Sequence, residues 1–259
     1  MIWDEERLLT TEVDVIHGLD PAADEPPFLL RKSTPRAVWA WSPRARLLAV
    51  APEVGAGLRE AALAEGADEA YRPGEPPAAL VRLAASLGDR AATAPGTDGP
   101  EATGAGATTP AITGGPSFVF PAGVRVRAPD HSPLPVVVSD GEGREAARSW
   151  IRPDNWQPGE WEELIGGRAG EWAMAVDGRE PVSICHSPAT NADAAEAGVW
   201  TRADHRGRRL APAAVAAWAG REARAKEVLF YSTSADNHAS QSVARRLGLT
   251  PLGWIWAVR

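Results

Sequence analysis

The sequence contains a single cysteine, Cys185, among 259 residues. One cysteine cannot form a disulfide within the chain, so a disulfide-stapled fold is excluded. No run of 18 apolar residues occurs, and the sequence therefore predicts no membrane-spanning helix. The stretch MIWDEERLL at the N-terminus is acidic from its fourth residue and has no apolar signal core. Together these features predict a soluble, cytoplasmic protein without a membrane partner.

Basic residues are also fewer than acidic residues. The chain has 27 Lys and Arg residues against 34 Asp and Glu residues, a formal net charge of −7 and a pI near 5.3. Such a chain repels phosphate backbones overall, which argues against a nucleic-acid partner. The five histidines and one cysteine show no metal-ligand spacing, so no metal site is expected.

Composition divides the chain at residues 91–116, which are nearly all Ala, Thr, Gly and Pro and predict a linker. Residues 1–90 then predict a small α/β domain of unknown role, with strands AVWAW, LLAV and DEAYR and helices ending at Gly66 and Gly88. Its turn GAGLRE resembles a dinucleotide-binding loop. However, Glu60 stands where the third glycine belongs, so a scaffold or interface role is favoured.

Residues 117–259 predict a second α/β (α+β) domain, a mixed sheet flanked by helices. A strand at LPVVVSD precedes two short helices and a hairpin around Asp177–Gly178, the favoured pair for a tight turn. The pattern continues with a strand at AEAGVWT, a helix at LAPAAVAAWAGREARAK, a strand at VLFYSTS, a helix at NHASQSVARRLG and a strand at LGWIWAV. The predicted order is β-α-α-β-β-β-α-β-α-β.

The stretch TRADHRGRRLAP connects one of these strands to the next helix. Pro212 belongs in the first turn of a helix, which places the helix start near Arg209 or Leu210. The first N–H groups of a helix lack internal acceptors and carry positive dipole, so they bind anions readily. Gly207 allows close backbone approach. A pyrophosphate site and a solvated basic loop are both compatible with these residues.

This half of the chain, from Ser117 to the end, resembles the GNAT superfamily of acyl-CoA N-acyltransferases. The resemblance is strongest over EAGVWTRADHRGRRLAPAAVAAWA and YSTSADNHASQSVARRLGL. In the family the loop pattern is Arg or Gln, two residues, Gly, one residue, and Gly or Ala. Arg206 fills its first position here and Ala211 its last.

The resemblance implies acetyl-CoA as co-substrate, with its pantetheine arm between two splayed strands, GVWT and VLFYST. Strand backbone would pair with the pantetheine amides, and loop amides would hold the pyrophosphate. Asn237 would bind the pantetheine arm, although a helix N-cap is an equally ordinary role for it. The implied cofactor-binding residues are Val199, Trp200, Thr201, Arg206, Gly207, Arg208, Arg209, Leu210, Ala211, Asn237 and Ser240.

Two positions depart from the family pattern. Arg209 replaces the middle glycine of the loop; its backbone N–H can still donate if its φ is negative, and its side chain could reach a phosphate. Ala244 stands where many relatives place a tyrosine that protonates the departing thiolate. Either Ser240, Tyr231 or water then protonates the thiolate, or no residue needs to do so.

The candidate catalytic residues are Glu196 as general base and Ser240 as proton donor. The alternative for Glu196 is a structural or substrate-binding role at the edge of the strand. His186 is the second candidate base, against a packed or surface histidine. Adjacent positions on a strand point Cys185 and His186 to opposite faces, which argues against a Cys–His dyad. Trp156 and Trp161 could line an acceptor pocket, although packing in the core is the commoner role of tryptophan.

The sequence therefore predicts an N-acetyltransferase that moves an acetyl group directly from acetyl-CoA to a small-molecule or peptide amine in a ternary complex. No activated nucleophile for a covalent intermediate is visible. The alternative is a non-catalytic acyl-CoA-binding sensor or interaction module. A basic-loop nucleic-acid binder is a remote third reading, and a homodimer is compatible with all three.

Overall fold

The computed structural model describes residues 4–22, 26–93, 111–121 and 132–259. Backbone contacts divide the chain into two compact units. The C-terminal unit is Ser117–Leu252, and the N-terminal unit combines Ile2–Pro116 with Gly253–Arg259. The sequence-based boundaries assigned residues 253–259 to the C-terminal domain, whereas their contacts group them with the N-terminal residues.

The N-terminal unit combines helices with a small mixed sheet. Its elements are α1 (Glu5–His17), β1 (Phe28–Leu29), β2 (Ala37–Trp41), β3 (Arg46–Val50), α2 (Ala56–Gly66) and α3 (Ala78–Thr93). Together with parts of β4 (Ile112–Val119) and β10 (Thr250–Val258), its strands follow the order β1-β3-β2-β10-β4. Strand β2 pairs antiparallel with both β3 and β10, and β1 pairs parallel with β3.

The sequence predictions for this unit are confirmed in part. Strands β2 and β3 form as expected, and α2 ends at Gly66. Helix α3 continues beyond Gly88, and the stretch DEAYR is irregular chain rather than a strand. Helix α1 was not predicted, although Asp4 caps it by accepting a hydrogen bond from the Glu6 N–H at 3.2 Å.

The predicted linker at residues 91–116 is wrong at both ends. Residues 91–93 complete α3, and residues 112–116 belong to β4. Positions 94–110 lie outside the described residues. Gly114 explains the misleading composition of β4, because an added Cβ there would lie 2.4 Å from the Ile255 carbonyl oxygen and from the Trp256 ring. The glycine is required by the close approach of a distant strand and does not mark a loop.

The C-terminal unit confirms the predicted mixed α/β fold and its element order. The elements between β4 and β10 are β5 (Val136–Val138), α4 (Gly141–Ala147), α5 (Pro158–Ile165), β6 (Trp172–Asp177), β7 (Glu180–Thr190), β8 (Ala194–Thr201), α6 (Leu210–Glu222), β9 (Val228–Ser232) and α7 (His238–Arg246). The strands follow the order β4-β9-β8-β7-β6-β5, antiparallel except for the parallel pair β8 and β9. Gly178 turns the β6–β7 hairpin with φ +61°.

Helices cover both faces of this sheet. On one face, α6 and α7 pack through residues such as Trp218 and Ala244 against Cys185 and Tyr231. On the other face, α4 and α5 pack against a second cluster that includes Trp161, Trp172, Met174 and Ile184. The alternation of side chains along β7 and β8 therefore separates two environments, one beside α6 and α7 and the other beside α4 and α5.

Replacing Gly66 with alanine is expected to lower the free energy of unfolding by about 1–3 kcal/mol. The added methyl group would lie 2.2 Å from the ring of Trp39, which is fully buried and cannot shift freely. Gly57→Ala in the same helix is the matched control, since nothing lies within 4 Å of its added methyl group. Urea denaturation measures both variants. If Gly66→Ala changed the free energy of unfolding no more than Gly57→Ala does, the close packing against Trp39 would be contradicted.

Candidate functional site

Strands β8 and β9 pair over only part of their lengths. Their parallel register runs from Ala194 opposite Val228 to Glu196 opposite Phe230, whereas β8 continues to Thr201. Strand β7 covers the other edge of β8 up to Thr201. From Gly198 onward β8 also changes from buried to half-buried. The edge of β8 that faces β9 is therefore open over residues 198–201, where an extended ligand could pair with its backbone.

A cavity of about 540 Å³ lies beside this open edge. Its walls come from the end of β8, the loop before α6, the first turn of α6, and one face of α7. Ten of the eleven predicted cofactor-binding residues line it, and Arg208 is the exception. The full lining is Val199, Trp200, Thr201, His205, Arg206, Gly207, Arg209, Leu210, Ala211, Pro212, Tyr231, Asn237, Ala239, Ser240, Ser242, Val243 and Arg246.

The cavity wall is strongly cationic although the chain as a whole has a net charge of −7. Among the described residues, Arg206, Arg209 and Arg246 line it, and no aspartate or glutamate does. Within the described part of the chain, none of these three arginines forms a salt bridge. The N-terminus of α6 adds the positive end of a helix dipole to the same wall. This arrangement attracts a ligand with several negative charges.

Arg209 has a left-handed backbone conformation, with φ +63° and ψ +19°, immediately before α6. The negative φ given above as the condition for its N–H to donate is therefore not met. Arg209 is the one residue other than glycine with a positive φ in the described chain, and Gly207 precedes it with φ +77°. A left-handed arginine costs about 1–3 kcal/mol. The loop thus keeps the backbone shape that a glycine would adopt while it carries a guanidinium on the cavity wall.

Ionic contacts fasten the loop to the β6–β7 hairpin. His205 is buried, with Nδ1 2.9 Å from Asp204 Oδ1 and Nε2 3.4 Å from Asp177 Oδ2. Arg202 bonds Asp204 at 2.8 Å and also reaches Glu180. The Arg202 hydrogen bond holds the pKa of Asp204 well below its usual range. His205 and Arg202 were not predicted as site residues, because Asp177 and Glu180, their partners on the hairpin, are distant in sequence.

Asn237 serves as the N-cap of α7 and also lines the cavity. Its Oδ1 accepts the Ser240 N–H at 3.0 Å, so its amide nitrogen is the group that could serve a ligand. The Ser240 hydroxyl lies 2.6 Å from the Tyr231 hydroxyl. Burial raises the pKa of Tyr231, which keeps the phenol protonated. Ala244, which stands where many relatives place a tyrosine, is buried in the core and offers no hydroxyl group.

Glu196 is buried at the point where the two strands separate. Its Oε1 accepts hydrogen bonds from the Ser232 N–H at 2.6 Å and the Ser232 hydroxyl at 2.8 Å. Its Oε2 has no hydrogen-bond partner among the described residues. Burial raises the pKa of Glu196 to about 7, and the bonds from Ser232 act in the opposite direction. Glu196 does not line the cavity; strand alternation places it on the same face as Trp200, opposite Val199.

The pair at Cys185 and His186 lies on opposite faces of β7, as predicted. Cys185 belongs to the cluster under α6 and α7, and burial raises its pKa well above the usual value. His186 lies on the other face, with its ring 5.1 Å from that of Trp156, and burial lowers its pKa. Trp156 and Trp161 pack edge to face at 6.4 Å beside α5 and do not line the cavity.

Residues 133–250 match the Acetyltransferase (GNAT) domain family. This match covers somewhat less than half of the chain, and it shows that the C-terminal part is similar to GNAT acetyltransferase domains. No curated protein matches the sequence significantly. Among the residues described, no group of three or more metal-ligating side chains occurs and no helix is long and apolar enough to cross a membrane.

Solved structures of GNAT proteins resemble the chain at low identity. A putative acetyltransferase from Novosphingobium aromaticivorans is 18% identical, with a TM-score of 0.42, over 57% of this chain and 64% of the other. An acetyltransferase from Colwellia psychrerythraea is 14% identical, with a TM-score of 0.42, over 58% and 57%. A GCN5-related N-acetyltransferase from Sphaerobacter thermophilus is 16% identical, with a TM-score of 0.41, over 58% and 52%. The chain thus covers less than two thirds of these proteins.

Replacing Arg209 with glycine is expected to raise the free energy of unfolding by about 1 kcal/mol, because glycine adopts a positive φ without strain. Arg208→Gly is the matched control: its φ is not positive, so glycine should leave stability unchanged or lower it by up to about 1 kcal/mol. Urea denaturation in the absence of ligand compares the two variants. A destabilised Arg209→Gly would contradict the strained conformation.

Glu196 should make stability depend on pH. Its pKa is raised from 4.5 to about 7, so between these values the folded protein keeps a proton that the unfolded chain has lost. Stability should therefore fall as pH rises through this window, by about 3 kcal/mol in total. Glu196→Gln does not titrate and should lack this decline. Denaturation at pH 5 and pH 8 measures it; the same decline in both proteins would contradict the raised pKa.

Proposed function

We propose that the chain is an N-acetyltransferase that moves an acetyl group from acetyl-CoA to an amine. The observation that carries the proposal is the cavity with three arginines and no carboxylate on its wall, open to the unpaired edge of β8. A ligand with a polyanionic end and an extended arm with amide groups suits both features. Acetyl-CoA has both, and the GNAT match supports this choice of donor.

In this proposal each part of the donor has its own surface. The pantetheine amides pair with the backbone of Val199, Trp200 and Thr201, as an added strand would. The diphosphate accepts hydrogen bonds from the N–H groups of Gly207, Leu210 and Ala211 around the start of α6, and the guanidinium groups of Arg206 and Arg209 lie on the same wall. The amide nitrogen of Asn237 donates to the pantetheine arm, in addition to the capping bond made by its oxygen.

Glu196 is the proposed general base. An amine must lose a proton before it can attack the thioester carbonyl, and a carboxylate with a pKa of about 7 can accept that proton near neutral pH. Ser232 fixes Oε1, which leaves Oε2 as the atom that receives the proton, through a water molecule because Glu196 does not line the cavity. His186 is a weaker candidate, because its environment makes it less basic.

The transfer then needs no covalent intermediate on the protein. The amine nitrogen forms a bond to the acetyl carbon, backbone N–H groups near Val199 stabilise the oxyanion, and the carbon–sulfur bond breaks. The departing thiolate accepts a hydrogen bond from Ser240, whose hydroxyl is oriented by Tyr231. The substrate ammonium loses two protons overall. One ends on the thiol sulfur, and the other leaves through Glu196.

A non-catalytic acyl-CoA-binding module is the second candidate. The buried Ala244 favours it, since the tyrosine that relatives use as an acid is missing. Calorimetric titration with CoA, followed by an assay of thiol release from acetyl-CoA with a panel of amines, separates the two candidates. Turnover with any amine supports the enzyme. Tight CoA binding without turnover for every amine supports the binding module, and no CoA binding would overturn both.

Replacing Glu196 with glutamine is expected to lower kcat by about 10²–10⁴-fold, as loss of a general base does, with little change in CoA affinity. The wild-type rate should rise with pH through about 7, where Glu196 loses its proton, and the variant should lack this step. Glu163→Gln, an exposed carboxylate on α5, is the control and should keep the wild-type profile. An unchanged rate in Glu196→Gln would assign the proton transfer elsewhere.

A further inference from the structure

Arg246 stands apart from the other two arginines of the cavity wall. Arg206 and Arg209 belong to the loop before α6, whereas Arg246 lies in the last turn of α7. Successive turns of α7 contribute Ala239, Val243 and Arg246 to the wall, at spacings of four and three residues. This spacing defines one helix face, so Arg246 is presented to the cavity by the helix as a whole.

The neighbouring Arg245 shows that the position of Arg246 is specific. Both arginines are exposed, both lie in the last turn, and both gain the same stabilisation from the helix dipole. Only Arg246 lines the cavity. Neither forms a salt bridge within the described residues. The helix dipole therefore explains a cation at either position. It does not explain why Arg246 lies on the cavity wall.

The loop before α6 already offers enough groups for a diphosphate. It supplies the N–H groups at the start of the helix and the guanidinium groups of Arg206 and Arg209. A guanidinium on a separate element suits a separate anionic group. A phosphate monoester carries a charge of about −1.5 to −2 at pH 7 and accepts two parallel hydrogen bonds from one arginine.

We propose that Arg246 binds the 3′-phosphate of the donor nucleotide, so that the site selects CoA over its 3′-dephosphorylated form. The inference rests on the proposed function, because it takes the cavity as the CoA site. It adds a specificity-determining residue on α7, distinct from the loop that holds the diphosphate.

Calorimetric titration with CoA and with 3′-dephospho-CoA tests the proposal. The wild type is expected to bind CoA about 10-fold or more tightly, as one charge-assisted pair would give. Arg246→Ala should lose most of this preference and bind dephospho-CoA with nearly wild-type affinity. Arg246→Lys should keep part of the preference, and the control Arg245→Ala should keep all of it. Thermal unfolding without ligand verifies that each variant is folded.

Two results would overturn the inference while the proposed function stands. Equal weakening of both ligands by Arg246→Ala would show that Arg246 contacts the diphosphate. A wild type that binds both ligands equally would show that the 3′-phosphate is not recognised. A wild type that binds neither ligand would instead overturn the proposed function itself, so the two failures are distinguishable.

Discussion

The separation of β8 from β9 is the constraint on which the site depends. Their pairing ends at Glu196 and Phe230, and at that point the Glu196 side chain accepts the Ser232 N–H and hydroxyl hydrogens. A buried N–H group needs an acceptor, and here a carboxylate supplies it in place of the neighbouring strand. The ladder can therefore stop without an orphaned donor. The same bonds fix the carboxylate proposed as general base.

The arginines of the C-terminal unit differ in whether they pair with carboxylates. A chain with a net charge of −7 places three arginines on one cavity wall that no described aspartate or glutamate lines. Some other arginines of the C-terminal unit pair with carboxylates, as Arg202 does with Asp204 and Glu180. The paired Arg202 helps to hold the loop in shape, whereas the three wall arginines form no salt bridge within the described residues and line the cavity that a ligand would enter. The strained backbone of Arg209 is consistent with this division, since its cost is offset only if the side chain or loop shape contributes to binding.

The sequence predicted the parts of the site that depend on local chemistry. Pro212 located the start of α6, and the Asp177–Gly178 pair located the hairpin. Three features escaped because they depend on distant residues. The first part of β4 was predicted as linker, because Gly114 is required by the close approach of a strand that lies far along the chain. The left-handed φ of Arg209 opposes the usual backbone preference of an arginine, and Asp177, one of the two partners of His205, lies on a hairpin 28 residues away. Helix α1 differs, since the cap at Asp4 and the apolar spacing after it were present to be recognised.

A structure of the protein with acetyl-CoA bound would test the central claim most directly. The account predicts the pantetheine arm paired along residues 199–201, the diphosphate at the N-terminus of α6, and the thioester near the point where β8 and β9 separate at Glu196. Acetyl-CoA bound at any other surface, or a cavity that stays empty at millimolar acetyl-CoA, would contradict it.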